Sequence, residues 1–225
     1  MNSLRNTHFH PQWFASGGKK EIVRFLKAIG PDQNVIDIGC FDKWPSWFIG
    51  SANLYVGLDS METASNWYKS ILDLFGDAVD LPILNGSVDV VILLDILEHI
   101  PDTRRVLSEA CRVLKVGGTV LVQMPFLYSL QVTSRDYTRL TCHDLEFYAK
   151  RSGFTVDTIQ PIGHPAATAV LLANLSASRA LLNWVERTRM AIVLALLLLL
   201  IILFTNLFAY LVSLTAAGDD FMPDS

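Results

Sequence analysis

Acidic residues close one apolar run after another along the first half of the chain. Asp37, Gly39 and Cys40 end "VIDIGC", and Asp59 ends "LYVGLD". Asp77 to Asp80 follow the run at 72–75, and Asp95 ends "SVDVVILLD" with Glu98 and His99 just beyond. Carboxylates gathered along one rim would accept hydroxyl protons and favour a cationic ligand over an anionic one. Asp59 stands about twenty residues past the first loop, the spacing at which an acid accepts both ribose hydroxyls of a nucleoside. Gly39 has no Cβ, so a ligand can approach its backbone closely. His99 is the side chain best suited to take a proton from a nucleophile near neutral pH. Bracing the following turn is the other role open to Glu98 and His99. Further on, Asp136, Tyr137 and Arg139 could meet a second ligand. There Arg139 would either clamp a carboxylate or phosphate, or pair with an acid and stabilise its own loop.

These residues need a frame that brings strand ends together. Residues 19–29 carry Ile22, Val23, Phe25, Leu26 and Ile29 at helical spacing, and Gly30-Pro31 ends the run. Strands are predicted at 35–38, 54–59, 72–75, 87–95, 119–125 and 154–160. The fourth is apolar almost throughout, as befits a central parallel strand covered on both faces. A helix is predicted from Pro101-Asp102 through Lys115 to a stop at Gly117-Gly118. Thr141 with Asp144 forms a capping box before "LEFYAKRSGF". Strands alternating with helices imply an α/β fold, a Rossmann-like doubly wound and mostly parallel sheet, whose ligands lie at the carboxyl ends of the strands.

A nicotinamide dinucleotide competes for such a sheet. Its pyrophosphate asks for G-x-G-x-x-G on a helix N-terminus. Here Gly39 is followed by Cys-Phe-Asp-Lys-Trp, and Asp42 would repel phosphate. A cofactor with no phosphate and a positive sulfonium, S-adenosyl-L-methionine, suits the acids better. Phe41 stands where another glycine is usual, and it carries strain only if that position requires positive φ.

The 225 residues carry a net charge of −4, so no basic field argues for nucleic acid. Cys40, Cys111 and Cys142 are scattered and lack the spacing of a zinc site or a disulfide framework, which points to reduced thiols in the cytoplasm. The first residues lack the apolar run of a signal peptide. Met190 to Leu214 contain no charge at all. As a helix rising about 1.5 Å per residue, that stretch exceeds the roughly 30 Å of bilayer hydrocarbon. A membrane-associated, transmembrane helix is therefore expected, against the alternative of a hairpin or core helix. Arg179, Arg187 and Arg189 before it and Asp219 and Asp220 after it would place the preceding residues on the cytoplasmic side. The chain then divides into a leader or lid (1–18), a domain (19–163), a connecting helix (164–189), the apolar helix (190–214) and a polar tail (215–225).

The run at 80–125, with "VIDIGC" and "LYVGLD" in order before it, resembles the class I S-adenosylmethionine-dependent methyltransferases, in particular the type 11 group. The resemblance covers about residues 33–160. It implies a seven-stranded Rossmann-like fold, methyl transfer, and S-adenosyl-L-methionine as cofactor. By position it implies that Asp37, Gly39 and Cys40 form the cofactor loop and that Asp59 with Ser60 holds the ribose. It likewise places Asp80-Leu81 at the adenine and Asp95 near the methionine moiety. The stretch 125–154 is similar to a subgroup with P-F-x-Y and D-Y-x-R-x-T, some of whose members are linked with bacterial cell-surface glycans or lipids. That implies a substrate site at Tyr128, Asp136, Tyr137 and Arg139 for a glycan, lipid-linked or amphipathic small acceptor. Gln131 departs from a histidine frequent in those relatives, and no final antiparallel strand follows. A degenerate binding or scaffolding protein on the same fold, and an NAD-dependent oxidoreductase, are the alternative readings.

Overall fold

The computed structural model describes residues 19–63, 72–127, 135–162, 165–185 and 191–215. The chain forms two compact units, one of residues 21–161 and one of residues 1–20 with 162–225.

In the first unit, five parallel strands lie in the order β3-β2-β1-β4-β5. They are β1 (Asn34–Ile38), β2 (Leu54–Asp59), β3 (Leu74–Phe75), β4 (Val88–Leu94) and β5 (Leu114–Gln123). Because every pairing is parallel, all five carboxyl ends share one edge of the sheet. β1 sits between β2 and β4, so Asp37 lies opposite both Gly57 and Ile92.

Both faces of the sheet are covered, which is why the strands read as apolar runs without alternation. On one face Ile36, Ile38, Leu58, Val91 and Leu93 pack with Val106, Leu107, Ala110 and Val113 of α3 (Thr103–Val113; the preceding helices are α1, Lys19–Ala28, and the single turn α2, Met61–Thr63). On the other, Val35, Val90 and Ile92 meet Ile22 and Leu26 of α1, with Trp44 and Phe48 at the margin. Each fully buried Val or Leu contributes about 1.5–3 kcal/mol, so these layers hold the strand ends in place.

α3 starts where the sequence predicts, with the Asp102 carboxylate accepting the Arg105 N–H at 3.0 Å. It ends earlier than predicted. Leu114 is already extended and pairs with Val88, and Lys115 reaches Asp89 at 2.8 Å, so the chain enters β5 four residues before Gly118. α4 (Cys142–Arg151) has the predicted capping box of Thr141 and Asp144. The strand predicted at 154–160 is absent among the described residues. Phe154 packs on the core, but the segment that follows finds no ladder partner.

The second unit contains α5 (Pro165–Val185) and α6 (Ala191–Thr215). Ala167, Leu171 and Asn174 of α5 are buried, as are Ile202, Asn206 and Ala209 of α6, each set at i, i+4, i+7 spacing. Asn174 Nδ2 donates to Asn206 Oδ1 at 2.9 Å, and the Thr205 hydroxyl donates to Asn174 Oδ1 at 2.8 Å. The expected transmembrane helix is not found: among the described residues, no helix is long and apolar enough to cross a membrane. The side chains described in α6 run only from Leu197 to Val212 and omit position 199. One flank of α6 is taken up by pairing with α5.

Candidate functional site

The turn after β1 is wound by alternate left-handed residues: Gly39 (φ 74°), Phe41 (φ 50°) and Lys43 (φ 56°). Gly39 N–H donates to the Leu58 carbonyl at 2.8 Å, tying the turn to β2. A Cβ on Gly39 would come within 2.5 Å of Ile96 Cδ1, so the glycine is required by packing as well as by φ. At Gly57 a Cβ would meet Cys40 Sγ and Lys43 Cε at 2.9 Å each; the turn lies flat on β2 there. Lys43 Nζ then bonds Asp73 Oδ1 at 2.7 Å, and Asp73 Oδ2 accepts the Gly57 N–H at 2.8 Å. Cys40 is buried in this packing, and burial pushes its thiol up to about 12, with Asp37 and Asp59 adding to the rise. A thiol so raised stays protonated and packs against Gly57.

Asp59 is where the turn and β2 converge. Its carboxylate accepts the Ser60 N–H at 2.7 Å and the Phe41 N–H, with Thr63 as a further partner. Burial still raises its pKa above the usual range. Ser60 serves mainly as a brace, its hydroxyl 2.7 Å from that of Thr63. The left-handed turn at Phe41 carries the amide that Asp59 uses, at a strain of roughly 1–2 kcal/mol for a side chain with a Cβ. Phe41→Gly is therefore expected to be more stable than Phe41→Ala by about 1 kcal/mol, the reverse of the ordinary ranking, in paired urea melts.

Asp37 is placed differently from its sequence expectation. It is 2% exposed and accepts the Tyr55 hydroxyl at 2.5 Å. Burial lifts its pKa to about 7 despite that bond, with Asp59 adding to the rise. Leu81 departs further. Its amide donates to Glu109 Oε2 at 2.9 Å and its carbonyl accepts from Arg112, so both backbone groups of Leu81 are bound within the fold. Asp80 is exposed and donates its N–H to the Asp77 carbonyl. Asp77, two residues past β3, accepts the Val79 N–H on its carboxylate at 3.1 Å.

Past β4, Asp95 is left-handed (φ 53°) and its carboxylate accepts from Gln123 Nε2 at 3.2 Å. The residue is exposed, and desolvation of its carboxyl raises its pKa above the usual range. Glu98 is 1% exposed with neither oxygen hydrogen-bonded, and burial raises it to about 7. His99 Nδ1 lies 2.8 Å from the Arg135 carbonyl, to which only an N–H can donate, so Nε2 is the basic atom of the neutral ring. That Nε2 is 3.8 Å from Glu98 Oε1.

Tyr137 donates its amide to the Glu98 carbonyl at 2.8 Å, bringing the segment at 135–139 to the end of β4. Both terminal nitrogens of Arg139 donate to the carboxylate of Asp136, an ion pair that braces the loop. Arg135 pairs with Glu62, joining the loops after β5 and β2 across the intervening ends of β1 and β4. Tyr128 and Gln131 lie outside the described residues. Tyr55, Gln123, Glu62 and the Glu109–Arg112 pair escape sequence reasoning. Only Arg112 carried a readable signal, an opposite charge three residues from Glu109.

Residues 36–122 match the family model described as a methyltransferase domain. A protein of Mycolicibacterium smegmatis described as a probable S-adenosylmethionine-dependent methyltransferase is 29% identical over 151 residues, 62% of this chain and 58% of its own. The demethylmenaquinone methyltransferase of Bacillus cereus is 28% identical over 134 residues, 54% of each chain. A solved S-adenosylmethionine-dependent methyltransferase from Aquifex aeolicus matches with a TM-score of 0.52 at 12% identity, covering 72% of this chain and 88% of that one. At that identity the likeness is one of fold. The chain spans about half the length of the curated relatives it matches.

Proposed function

We propose that this chain, whose residues 36–122 match the methyltransferase-domain model, is a class I S-adenosylmethionine-dependent methyltransferase that transfers the methyl group of S-adenosyl-L-methionine to a glycan, lipid-linked or amphipathic small acceptor presented at a membrane. The observation that carries the reading is Asp59, fixed at the end of β2 by the amides of Ser60 and Phe41. A carboxylate so held is preorganised to accept the paired hydroxyls of a ribose.

The charge of the rim agrees with a sulfonium cofactor. Asp59, Asp77 and Asp95 are acidic, while Lys43, Arg135 and Arg139 are each engaged by Asp73, Glu62 and Asp136. A pyrophosphate would find acids where it needs cations, which disfavours NAD. Asp59 would hold the sugar, the turn at Gly39 would border it, and Asp95 would face the amino-acid end. The bound cofactor supplies a methyl group already activated by positive sulfur; the protein's part is to align it and exclude water. His99 Nε2 takes the proton of an O–H or N–H nucleophile as the new bond to the methyl carbon forms.

Calorimetry on the full chain is expected to show binding of S-adenosyl-L-methionine and its demethylated product, and none of NAD. Asp59→Ala removes two charge-assisted hydrogen bonds of roughly 1.5 kcal/mol each, about a hundredfold loss of affinity. Binding of NAD alone, or an unaltered affinity in Asp59→Ala, would defeat the reading. The strained Phe41 in the cofactor turn favours, as a second reading, a binder on the same fold. Labelled methyl transfer into membrane and glycan extracts separates the two, since a binder gives none.

A further inference from the structure

Among the described side chains, seven large apolar ones stand exposed on the outer side of α6, and none of that size is exposed on α5. Leu197, Leu200, Phe204, Leu207, Phe208 and Leu211 lead the set, Phe204 at 73% exposure; Ile201 lies among them. At about 100° per residue they cover, with Tyr210, roughly half of the helix circumference. The exposed positions described on α5 are small or polar, among them Ala173, Ser176, Arg179, Ala180 and Asn183. Among the described side chains the helix pair is thus lopsided, α6 presenting large apolar groups outward and α5 small and polar ones.

The buried amides fix that arrangement. Asn174 donates to Asn206 and accepts from Thr205 inside the seam. Rotating either helix would strand these groups among apolar side chains, at a cost of about 1–3 kcal/mol for each unsatisfied group. The polar side of α5 is therefore locked away from the apolar side of α6.

We infer that the α5–α6 hairpin docks in the plane of a membrane surface, with α6 sunk in the boundary between headgroups and acyl chains and α5 facing the headgroups and water. A second copy of the hairpin would need only the narrower seam of a coiled coil, whereas lipid accepts an apolar surface of any width. A spanning hairpin would put Arg179, Ser176 and Asn183 into hydrocarbon, where each is costly. An in-plane helix asks for a broad apolar face backed by a polar one. Arg179, exposed on α5, adds attraction for anionic headgroups. This rests on the membrane part of the proposed function and not on methyl transfer.

The test places the photoreactive residue benzoylphenylalanine at Phe204, at Leu211 or at Ala173 of the full chain, mixed with vesicles of phosphatidylcholine and phosphatidylglycerol. All three positions are exposed, so the fold tolerates the probe. The expected result is lipid adducts from 204 and 211 and at least tenfold fewer from 173. Equal lipid adducts from all three would mean immersion on every side and overturn the in-plane placement. Chain-to-chain adducts from 204 would assign the face to a second copy and overturn it too, as would no lipid adduct anywhere. Calorimetry of the cofactor on the same samples reads the methyltransferase reading separately.

Discussion

Arg112→Ala is expected to lower the stability of the sheet domain by about 3 kcal/mol, moving its urea midpoint further than any surface substitution. Arg112 spends its guanidinium on five bonds: both oxygens of Glu109, the carbonyls of Leu81 and Ile83, and the side chain of Asn85. Glu109 is 3% exposed, and its second duty is to accept the Leu81 N–H. Removing the arginine leaves that buried carboxylate with only the looser pairing to Arg105 at 3.6 Å, and takes a donor from the carbonyls of Ile83 and Leu81, the latter keeping the Ile83 N–H. The pairing holds the Glu109 carboxyl below its ordinary range, so the loss is felt wherever that group is ionised. Arg112→Lys recovers little, because an ammonium cannot reproduce the fork that reaches two carbonyls and a carboxylate at once. Glu109→Leu combined with Arg112→Leu should cost less than Arg112→Ala alone, since both partners then leave together. The loop held this way carries Asp77 and Asp80, so cofactor affinity should fall with stability in Arg112→Ala. A midpoint within about 0.5 kcal/mol of the parent would show the network to be ornamental.

What could be read from residues alone follows from which forces are local. The central strands were legible because burial on both faces leaves an apolar run, and α3 because Asp102 caps it. The position of Asp59 was legible because it depends on where β2 ends, a matter of sequence spacing. Asp37 was not. Its burial depends on Tyr55, which reaches it diagonally only because Asp37 registers with Gly57, and register is not written in either strand. The surroundings of Leu81 were hidden for the same reason at longer range, its amide being bound by a glutamate 28 residues away. The strand predicted at 154–160 shows the converse error. Alternation makes a segment competent for a sheet, but a ladder needs a neighbour, and none is described there. The apolar run at 190–214 was read by length and charge, and neither discloses that two asparagine side chains pair it with α5.

Asp37→Asn is expected to stabilise the chain at alkaline pH and to do almost nothing in acid. The Asp37 pKa rises from the unfolded 3.8 to about 7 in the fold, because burial penalises the anion more than the Tyr55 hydroxyl rewards it. A carboxyl raised in this way contributes fully below pH 3.8, where it is neutral in both states. That contribution is lost as pH climbs, since the unfolded chain ionises first, and the loss is complete once pH passes about 7. At about 1.4 kcal/mol per unit, the gap between Asp37→Asn and the parent should widen by on the order of 4 kcal/mol between acid and alkaline conditions. Asparagine keeps an oxygen for the Tyr55 hydroxyl, so the comparison isolates the charge. Glu98→Gln should behave alike over a narrower window, from 4.5 to about 7. Thermal melts at pH 4 to 9 decide the matter, and parallel curves for parent and Asp37→Asn would show that the Asp37 carboxyl ionises as freely in the fold as outside it. A chain that keeps such a group in place of an amide gives up stability at neutral pH for a charge beneath its cofactor turn. A sulfonium bound above that turn would favour the anion, so S-adenosyl-L-methionine should raise the melting temperature more in the parent than in Asp37→Asn.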